Sequence, residues 1–371
     1  MADPPAAPVR GVLLLRTGQA CAEHERVVQQ QLAQSLAQVL RLPFLGAASM
    51  LPNSTSCYLI PDATLIAPQP GIATELDLYG AVVSHPFVAG KAISHPLVDS
   101  TATAPQGWSS EFIARAAGAV LPGYSAFDRR DALRAGRLLL PAGPLRAKLV
   151  EGRAGRGQCV LHDERQLQAW LDELPDDLLR EQGVVLEQNL TQVSTYSVGQ
   201  LRVGPWCLSY FGQQRLTTAN DGVTVYGGSD LWLVRGGYSC LGDHFQSPLI
   251  RLAIAKTRCY EEAAEVSFKP FIASRRNCDV AIGLAPTGQQ VMGVLEQSWR
   301  IGGASSAEIQ ALLAFAADPD LQHLCASSWE VYGENPVVPP QGRVLYQGND
   351  PEVGPITKGV SIRPWQPPVT P

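Results

Sequence analysis

A glycine-rich segment, residues 151–157, constrains the fold of this chain more than any other feature of its sequence. It reads Glu-Gly-Arg-Ala-Gly-Arg-Gly and lies between two short runs, residues 145–150 and 158–162, whose apolar residues are typical of β-strands. Two strands joined by a glycine loop form a hairpin, and glycine N–H groups approach a phosphate closely because no Cβ intervenes. The segment therefore predicts a phosphate-binding hairpin, although a solvated turn explains the loop equally well when it is taken alone.

The residues beside this loop exclude two better-known phosphate-binding loops. A Walker loop requires Lys and then Ser or Thr directly after its last glycine, where this chain has Gln158 and Cys159. A dinucleotide-binding loop has the spacing G-x-G-x-x-G and opens a helix, whereas this segment is G-x-x-G-x-G between two strands. The chain has only five lysines, and one of them, Lys148, lies on the first strand of the hairpin. Its ammonium group is therefore a candidate ligand of a phosphate.

Elsewhere the pattern predicts a chain that alternates between strands and helices. Apolar runs predict strands at residues 11–15, 57–60, 78–83, 184–190, 193–203, 206–211, 278–282 and 290–296. Helical spacing predicts helices at residues 22–40, 109–120, 128–139, 164–174, 248–266 and 305–317. Residues 212–247 are rich in turn-forming residues and are left unassigned, whereas residues 1–8 and 364–371 are proline-rich and are expected to be flexible.

The length of 371 residues allows two or three domains with a cleft between them. A net charge of -5 does not suggest the basic patch that nucleic acids and anionic membranes require, so neither is expected as a partner. No stretch approaches the roughly 18 apolar residues of a membrane span, and the N-terminal sequence lacks a secretory signal, so a cytoplasmic protein is expected. The eight cysteines form no C-x-x-C pair and are expected to be reduced and mostly buried.

A second segment, residues 293–303, carries acidic, hydroxyl and basic side chains at alternate positions. Strand alternation predicts that Glu296, Ser298 and Arg300 share one face, and Asp279 lies on the preceding strand of the same hairpin. Carboxylate and hydroxyl oxygens suit Mg²⁺, and a guanidinium suits a phosphate. A surface salt bridge between Glu296 and Arg300 would explain the same residues without any ligand.

In this order and at these separations, the segments resemble the ATP-grasp superfamily, which includes carboxylate-amine ligases, peptide-type ligases and biotin carboxylase. Lys148 and the glycine loop resemble its lysine and phosphate-covering hairpin, and residues 185–190 look like the hinge strand that holds adenine. Residues 296–300, with the pattern E-x-S-x-R, resemble its E-x-N-x-R metal segment, and Asp279 resembles its first metal ligand. The resemblance covers roughly residues 120–315 and is strongest toward biotin-carboxylase-like bacterial members.

Two positions depart from the superfamily. Ser298 stands where asparagine is usual, and a hydroxyl is a weaker magnesium ligand than an amide oxygen. Ser194 stands where an acidic residue usually holds the ribose hydroxyls.

The resemblance implies a fold of mixed α/β and α+β class, the ATP-grasp fold, with ATP and Mg²⁺ as cofactors. It implies an N-terminal α/β domain at residues 1–125, a small lid at 126–186, a C-terminal α+β domain at 187–350 and a tail at 351–371. The cofactor-binding residues would be Lys148, Gly152, Gly155, Arg156, Gly157, Glu187, Gln188, Asn189, Leu190 and Ser194. The metal ligands would be Asp279, Glu296 and Ser298, and the catalytic groups Lys148 and Arg300.

The activity that this resemblance implies is ATP-dependent activation of a carboxylate as an acylphosphate, followed by attack of an amine or similar nucleophile. The partners would then be small-molecule carboxylates and amines, and a homodimer is left open. An ATP-binding protein that has lost turnover is the alternative, favoured by the two serines. A serine hydrolase is a weaker one, because residues 237–241 lack the closing glycine of G-x-S-x-G.

Some further residues are weaker candidates. Arg215, Arg275 and Arg276 suit contacts with an acidic substrate, but each is as readily a surface arginine. The Ser-His-Pro repeats at residues 84–86 and 94–96, with Lys91 between them, suit the edge of a cleft, although histidines beside prolines are more often turn residues.

Overall fold

The computed structural model of the protein describes residues 10–18, 21–50, 57–152 and 157–368. Up to residue 188 its elements are β1 (Gly11–Leu15), α1 (Glu23–Leu40), β2 (Phe44–Ala48), β3 (Cys57–Pro61), β4 (Leu65–Ile66), β5 (Ala81–Val83), α2 (Ser110–Ala116), β6 (Gly123–Ala126), α3 (Arg129–Leu139), β7 (Leu145–Leu149), β8 (Gln158–Leu161), α4 (Glu164–Asp172), α5 (Asp176–Glu181) and β9 (Val184–Gln188). The elements that follow are β10 (Thr191–Val203), β11 (Trp206–Thr218), β12 (Thr224–Arg235), α6 (Tyr238–Asp243), α7 (Pro248–Ser267), β13 (Ile272–Ala273), β14 (Arg275–Leu284), β15 (Gln290–Gln297), α8 (Ser305–Ala317), β16 (His323–Tyr332), β17 (Arg343–Asp350) and β18 (Gly354–Arg363). Short 3₁₀ helices lie at residues 75–77, 86–89, 91–94 and 140–142.

The N-terminal part is built on a parallel sheet in the order β2-β1-β3. Every residue of β1 is buried, which explains its unbroken apolar run, since a parallel strand is usually covered on both faces. Helix α1 packs against this part with buried residues that include Val28, Leu32 and Leu36. Its first turn is held from far along the chain, because the Asp350 carboxylate accepts a hydrogen bond from the backbone N–H of His24 at 3.0 Å.

The central part is an antiparallel sheet in the order β6-β9-β7-β8. Strands β7 and β8 pair directly, with Lys148 opposite Gln158, so the predicted hairpin is confirmed. Helix α4 begins after Asp163, whose side chain caps it by accepting a hydrogen bond from the Gln166 N–H at 2.9 Å. Helices α3 and α4 bury residues such as Leu167 against this sheet.

An eight-stranded antiparallel sheet forms the C-terminal part, in the order β15-β14-β10-β11-β12-β16-β18-β17. Helices cover both faces. Leu201 and Leu233 contribute to a core shared with α1 and α8, whereas Val198 and Val234 contribute to a core shared with α2, α6 and α7. A small sheet in the order β13-β5-β4 joins this part to the N-terminal part, since β13 pairs with β5.

The structure assigns one segment that the sequence left open and corrects the expectation for another. Residues 212–247, left unassigned because of their glycines and polar residues, contain the end of β11, all of β12 and helix α6. Residues 351–371, expected as a tail, include β18, which lies between β16 and β17 in the large sheet. Beyond that strand the Trp365 ring packs against His244, Phe245 and His323 at centroid distances of 5.5, 5.7 and 5.0 Å.

Within the described ranges, no helix is both long enough and apolar enough to cross a membrane.

Candidate nucleotide and metal site

Lys148 lies on β7 just before the glycine loop, and its ammonium group is buried rather than open to solvent. Its Nζ lies 2.5 Å from Oε1 of Glu187, on the neighbouring strand β9. The loop begins and ends with backbone hydrogen bonds from the Gly152 N–H to the Leu149 carbonyl at 3.1 Å, and from the Leu149 N–H to the Gly157 carbonyl at 2.8 Å. Gly155 and Arg156, also expected to cover a phosphate, lie outside the described residues.

Glu187 is the centre of a buried triad. One oxygen faces Lys148, and the other lies 3.1 Å from Nε2 of His95, a fully buried histidine of the second Ser-His-Pro repeat. Burial alone would raise the pKa of Glu187, but the charge of Lys148 and the hydrogen bond from His95 outweigh it and lower the pKa to about 2. The Glu187 carboxylate therefore holds Lys148 in place, rather than pointing toward a ligand itself.

The residues after Glu187, predicted to hold adenine, already use part of their backbone within the chain. The N–H of Gln188 donates to the Pro122 carbonyl at 2.9 Å, and the N–H of Asn189 donates to the Pro144 carbonyl at 3.2 Å. Leu190 is buried. Any contact of this hinge with adenine would therefore use carbonyl groups of the segment or the N–H of Leu190.

Lys91, for which the sequence pattern indicated no ligand role, connects the two halves of the site. Lys91 lies in the 3₁₀ helix at residues 91–94 and is 7% exposed. Its Nζ lies 2.8 Å from Oε2 of Glu296 and 2.7 Å from the carbonyl oxygen of Gly152. A single ammonium group thus bridges the acidic strand and the start of the glycine loop. Two features of the sequence could have drawn attention to Lys91: the chain has few lysines, and this one lies between the two Ser-His-Pro repeats.

Asp279 and Glu296 lie directly opposite each other on β14 and β15, with a β-bulge after Asp279. Opposed residues of antiparallel strands have their Cβ atoms about 5 Å apart, so the two carboxylates are neighbours. Burial and the charge of Glu296 together raise the pKa of Asp279 to about 6. The Ser197 hydroxyl and the Asn277 amide each donate to Oδ1 of Asp279 at 3.3 Å.

This donor set fits a magnesium ion. Two adjacent carboxylates that repel each other are stabilised by a divalent cation, and Mg²⁺ is usually bound through one or two carboxylates together with water and substrate phosphates. Among the residues that the structure describes there is no cluster of three or more His, Cys, Asp and Glu side chains.

The expectation that Glu296, Ser298 and Arg300 alternate on one strand face is wrong. Strand β15 ends at Gln297, because the chain turns away to begin the approach to α8. The Ser298 hydroxyl accepts a hydrogen bond from Nη1 of Arg275 at 3.3 Å, and Nη1 of Arg300 donates to the Ile301 carbonyl at 2.8 Å. Glu296 pairs with Lys91, so a structural salt bridge to Arg300 is not needed to explain its charge.

The other predicted contacts lie apart from this centre or serve the fold. Ser194 is exposed on β10, opposite Ile282. Arg275 is not a surface arginine, since it is 1% exposed and forms an ion pair with Glu308. Arg276 pairs with Glu265, and Arg215 pairs with Asp230.

Comparisons with known proteins give one family and a set of similar folds. The model of a family described as "Protein of unknown function (DUF3182)" matches residues 12–360. No curated protein matches the sequence. The fold is similar to the biotin carboxylase domain of 2-oxoglutarate carboxylase from Hydrogenobacter thermophilus, solved with MgADP, ADP and bicarbonate, with 12% identity, a TM-score of 0.52 and 95% of this chain and 86% of that chain covered.

It is also similar to N5-carboxyaminoimidazole synthase from Aspergillus clavatus, solved with ADP and 5-aminoimidazole ribonucleotide. That match has 10% identity, a TM-score of 0.50 and covers 95% of this chain and 94% of that chain. At such identities the likeness concerns the fold. The predicted ATP-grasp fold is confirmed.

Proposed function

The chain belongs to the family described as protein of unknown function (DUF3182), and we propose that it is an ATP-dependent ligase. It would activate a small-molecule carboxylate as an acylphosphate, which an amine or similar nucleophile then attacks. Two of the solved proteins with a similar fold contain ADP, one with bicarbonate and the other with 5-aminoimidazole ribonucleotide, which supports this class of reaction.

The observation that carries the proposal is the bridge made by Lys91. Its contacts with Glu296 at 2.8 Å and Gly152 at 2.7 Å bring the acidic strand and the glycine hairpin into one site. An acidic pair suits a metal, and a glycine hairpin with two buried lysines suits phosphates. A ligand that contacts both halves would carry a metal ion and phosphate groups together. A metal-bound nucleoside triphosphate is such a ligand.

The chain's own residues would mainly bind and neutralise charge, because phosphoryl transfer makes little covalent demand on side chains. Asp279 and Glu296 would hold the magnesium ion, with Ser298 beside them. Lys91 would exchange Glu296 for phosphate oxygens, and Lys148, held by Glu187, would offer its remaining N–H donors to them. When bound, Mg²⁺ would offset the charge of the phosphates and polarise the group being transferred.

The rest of the site would close around the nucleotide and stabilise the transferred group. Gly152, Gly155, Arg156 and Gly157 would cover the phosphates and exclude water from the acylphosphate. The hinge at residues 187–190 would hold adenine through its backbone groups, with Ser194 near the ribose. Arg300 would stabilise charge on the transferred group.

An ATP-binding protein without turnover is the second candidate. Ser298 supports it, because its hydroxyl already accepts a hydrogen bond from Arg275 and is a poor magnesium ligand. Both candidates require the same nucleotide site, so binding and turnover must be measured separately.

The test is calorimetric titration of ATP into the protein with and without Mg²⁺, followed by measurement of ADP release with a pool of carboxylates and amines. We expect magnesium-dependent binding that Glu296→Gln weakens. Glu265→Gln is the matched control, since Glu265 is also ion-paired with its partner at 2.8 Å but lies on α7. Binding with ADP release supports the ligase, binding without release supports the second candidate, and no binding by the wild type overturns both.

A further inference from the structure

A buried ion pair lies beneath the segment that follows Glu296. Arg275, at the start of β14, and Glu308, on α8, are 1% and 0% exposed. Nη2 of Arg275 lies 2.6 Å from Oε1 of Glu308, and its Nε donates to Oε2 at 3.1 Å. Removing two charges from water is unfavourable unless their remaining hydrogen-bonding capacity is satisfied, so the partners of this pair indicate its purpose.

One branch of the pair reaches the backbone next to Glu296. Nη1 of Arg275 donates to the carbonyl oxygens of Ser298 at 2.6 Å and Arg300 at 2.7 Å. A guanidinium has a rigid, planar set of donors, so these two carbonyls are fixed relative to β14. The chain therefore leaves β15 at a defined angle immediately after Glu296.

A second branch reaches Asp279. The Tyr210 hydroxyl lies 2.6 Å from Oε1 of Glu308 and 2.8 Å from Oδ1 of Asn277, and shares its single proton between these acceptors. The Asn277 amide nitrogen then donates to Oδ1 of Asp279 at 3.3 Å. The Asn277 carbonyl also accepts the Ser298 N–H at 2.7 Å, which joins the two branches.

We propose that Arg275, Glu308, Tyr210 and Asn277 form a positioning network that sets the separation and orientation of Asp279 and Glu296 for a divalent cation. The inference rests on the proposed function, because it concerns the same metal site. The four residues would touch neither the metal nor the substrate, and act through the two carboxylates. Networks behind metal ligands typically change metal affinity by 10- to 100-fold when they are broken.

The protein contains a matched control for a purely structural role. Tyr79 is fully buried like Tyr210, and its hydroxyl also donates to the Glu308 carboxylate. It bonds Oε2, whereas Tyr210 bonds Oε1 and continues to Asn277. Tyr79→Phe and Tyr210→Phe therefore delete the same group from the same carboxylate, but only the second breaks the branch to Asp279.

The experiment titrates Mn²⁺ into wild type, Tyr79→Phe and Tyr210→Phe in the presence of ADP and follows water-proton relaxation, which reports Mn²⁺ bound to protein. Melting curves are recorded for each. We expect Tyr210→Phe to weaken Mn²⁺ binding by about tenfold and Tyr79→Phe by less than about twofold, with similar decreases in melting temperature.

Equal effects of the two variants on Mn²⁺ binding would overturn the inference. If Tyr210→Phe does not fold, Asn277→Ala replaces it, since this variant removes the amide next to Asp279 and leaves the ion pair intact. Wild-type Mn²⁺ affinity in Asn277→Ala would then overturn the inference, and about tenfold weaker binding would support it. Failure of the wild type to bind Mn²⁺ with ADP is a different result, which contradicts the proposed function.

Discussion

Replacing Lys148 with methionine is expected to lower the free energy of unfolding and to weaken nucleotide binding. The change keeps the apolar stem and removes the ammonium group that lies 2.5 Å from Glu187. Glu187 is 1% exposed, so its charge would be left in the interior with His95 as its only partner among the contacts described above. Breaking a buried pair by removing one charge typically costs about 3–5 kcal/mol.

The pKa of Glu187 gives the order of magnitude by which Lys148 and His95 together stabilise its charge against burial. Its pKa is lowered from 4.5 to about 2, and at 1.36 kcal/mol for each tenfold change this corresponds to roughly 3 kcal/mol. Because the folded pKa is depressed, this stabilisation is present above about pH 4.5 and is lost as the pH falls toward 2. The difference in stability between wild type and Lys148→Met should therefore be full at pH 7 and smaller at pH 3.5.

The assay is urea denaturation at both pH values, followed by fluorescence. Arg137→Met is the control, because it removes a charge from an ion pair with Glu164 that joins two helices packed on the same sheet. That pair is exposed and should contribute little to the free energy of unfolding. Lys148→Met/Glu187→Met should recover most of the lost stability, since no unpaired charge remains buried. Loss of less than about 1 kcal/mol in Lys148→Met at pH 7 would refute the reasoning about the triad.

Three further outcomes are expected. Magnesium affinity, measured calorimetrically in the presence of ADP, should rise between pH 5 and pH 7. The pKa of Asp279 is raised to about 6, and a carboxylate must lose its proton before it binds the metal. Equal affinities at the two pH values would contradict this. Lys91→Met should speed tryptic cleavage within residues 151–157, since the loop loses the ammonium that bonds the Gly152 carbonyl, and an unchanged rate would show that this bond does not restrain the loop. Trp365→Ala should lower the free energy of unfolding by roughly 2 kcal/mol, less than for a fully buried tryptophan, because its half-buried ring packs on Phe245 and adjoining residues. ATP affinity should not change; urea denaturation and calorimetry measure the two quantities.

The sequence was informative where chemistry and local pattern coincide. The glycine hairpin was recognisable because its loop, strands and lysine are contiguous, and β7 and β8 pair as predicted. The pairing of Asp279 with Glu296 follows from a hairpin whose strands are both apolar and whose turn contains glycine. The long helices α7 and α8 were predictable from periodicity, and they cover opposite faces of the large sheet.

The sequence was uninformative where long-range packing decides a side chain's role. Lys91 lies 57 positions before Lys148, and its position between the two Ser-His-Pro repeats does not indicate which groups it bridges, namely Glu296 and Gly152. Arginine is usually a surface residue. Arg275 is buried because it pairs with Glu308, a residue 33 positions later in the chain. The prediction that Glu296, Ser298 and Arg300 share a strand face was wrong because the strand ends at Gln297. Alternation rules assume that the strand continues and do not predict where the chain turns toward the next helix.

The position of Asp350 against His24 also has a consequence for how the protein is made. The two residues are 326 positions apart, and β17, which ends at Asp350, packs beside α1 together with α8. At about 5–20 residues per second, a ribosome needs roughly 16–65 s to reach the second residue after completing the first. During that interval the N-terminal sheet can already pack on α1, but the part of the helix that contacts β17 stays uncovered and is available to chaperones on the nascent chain.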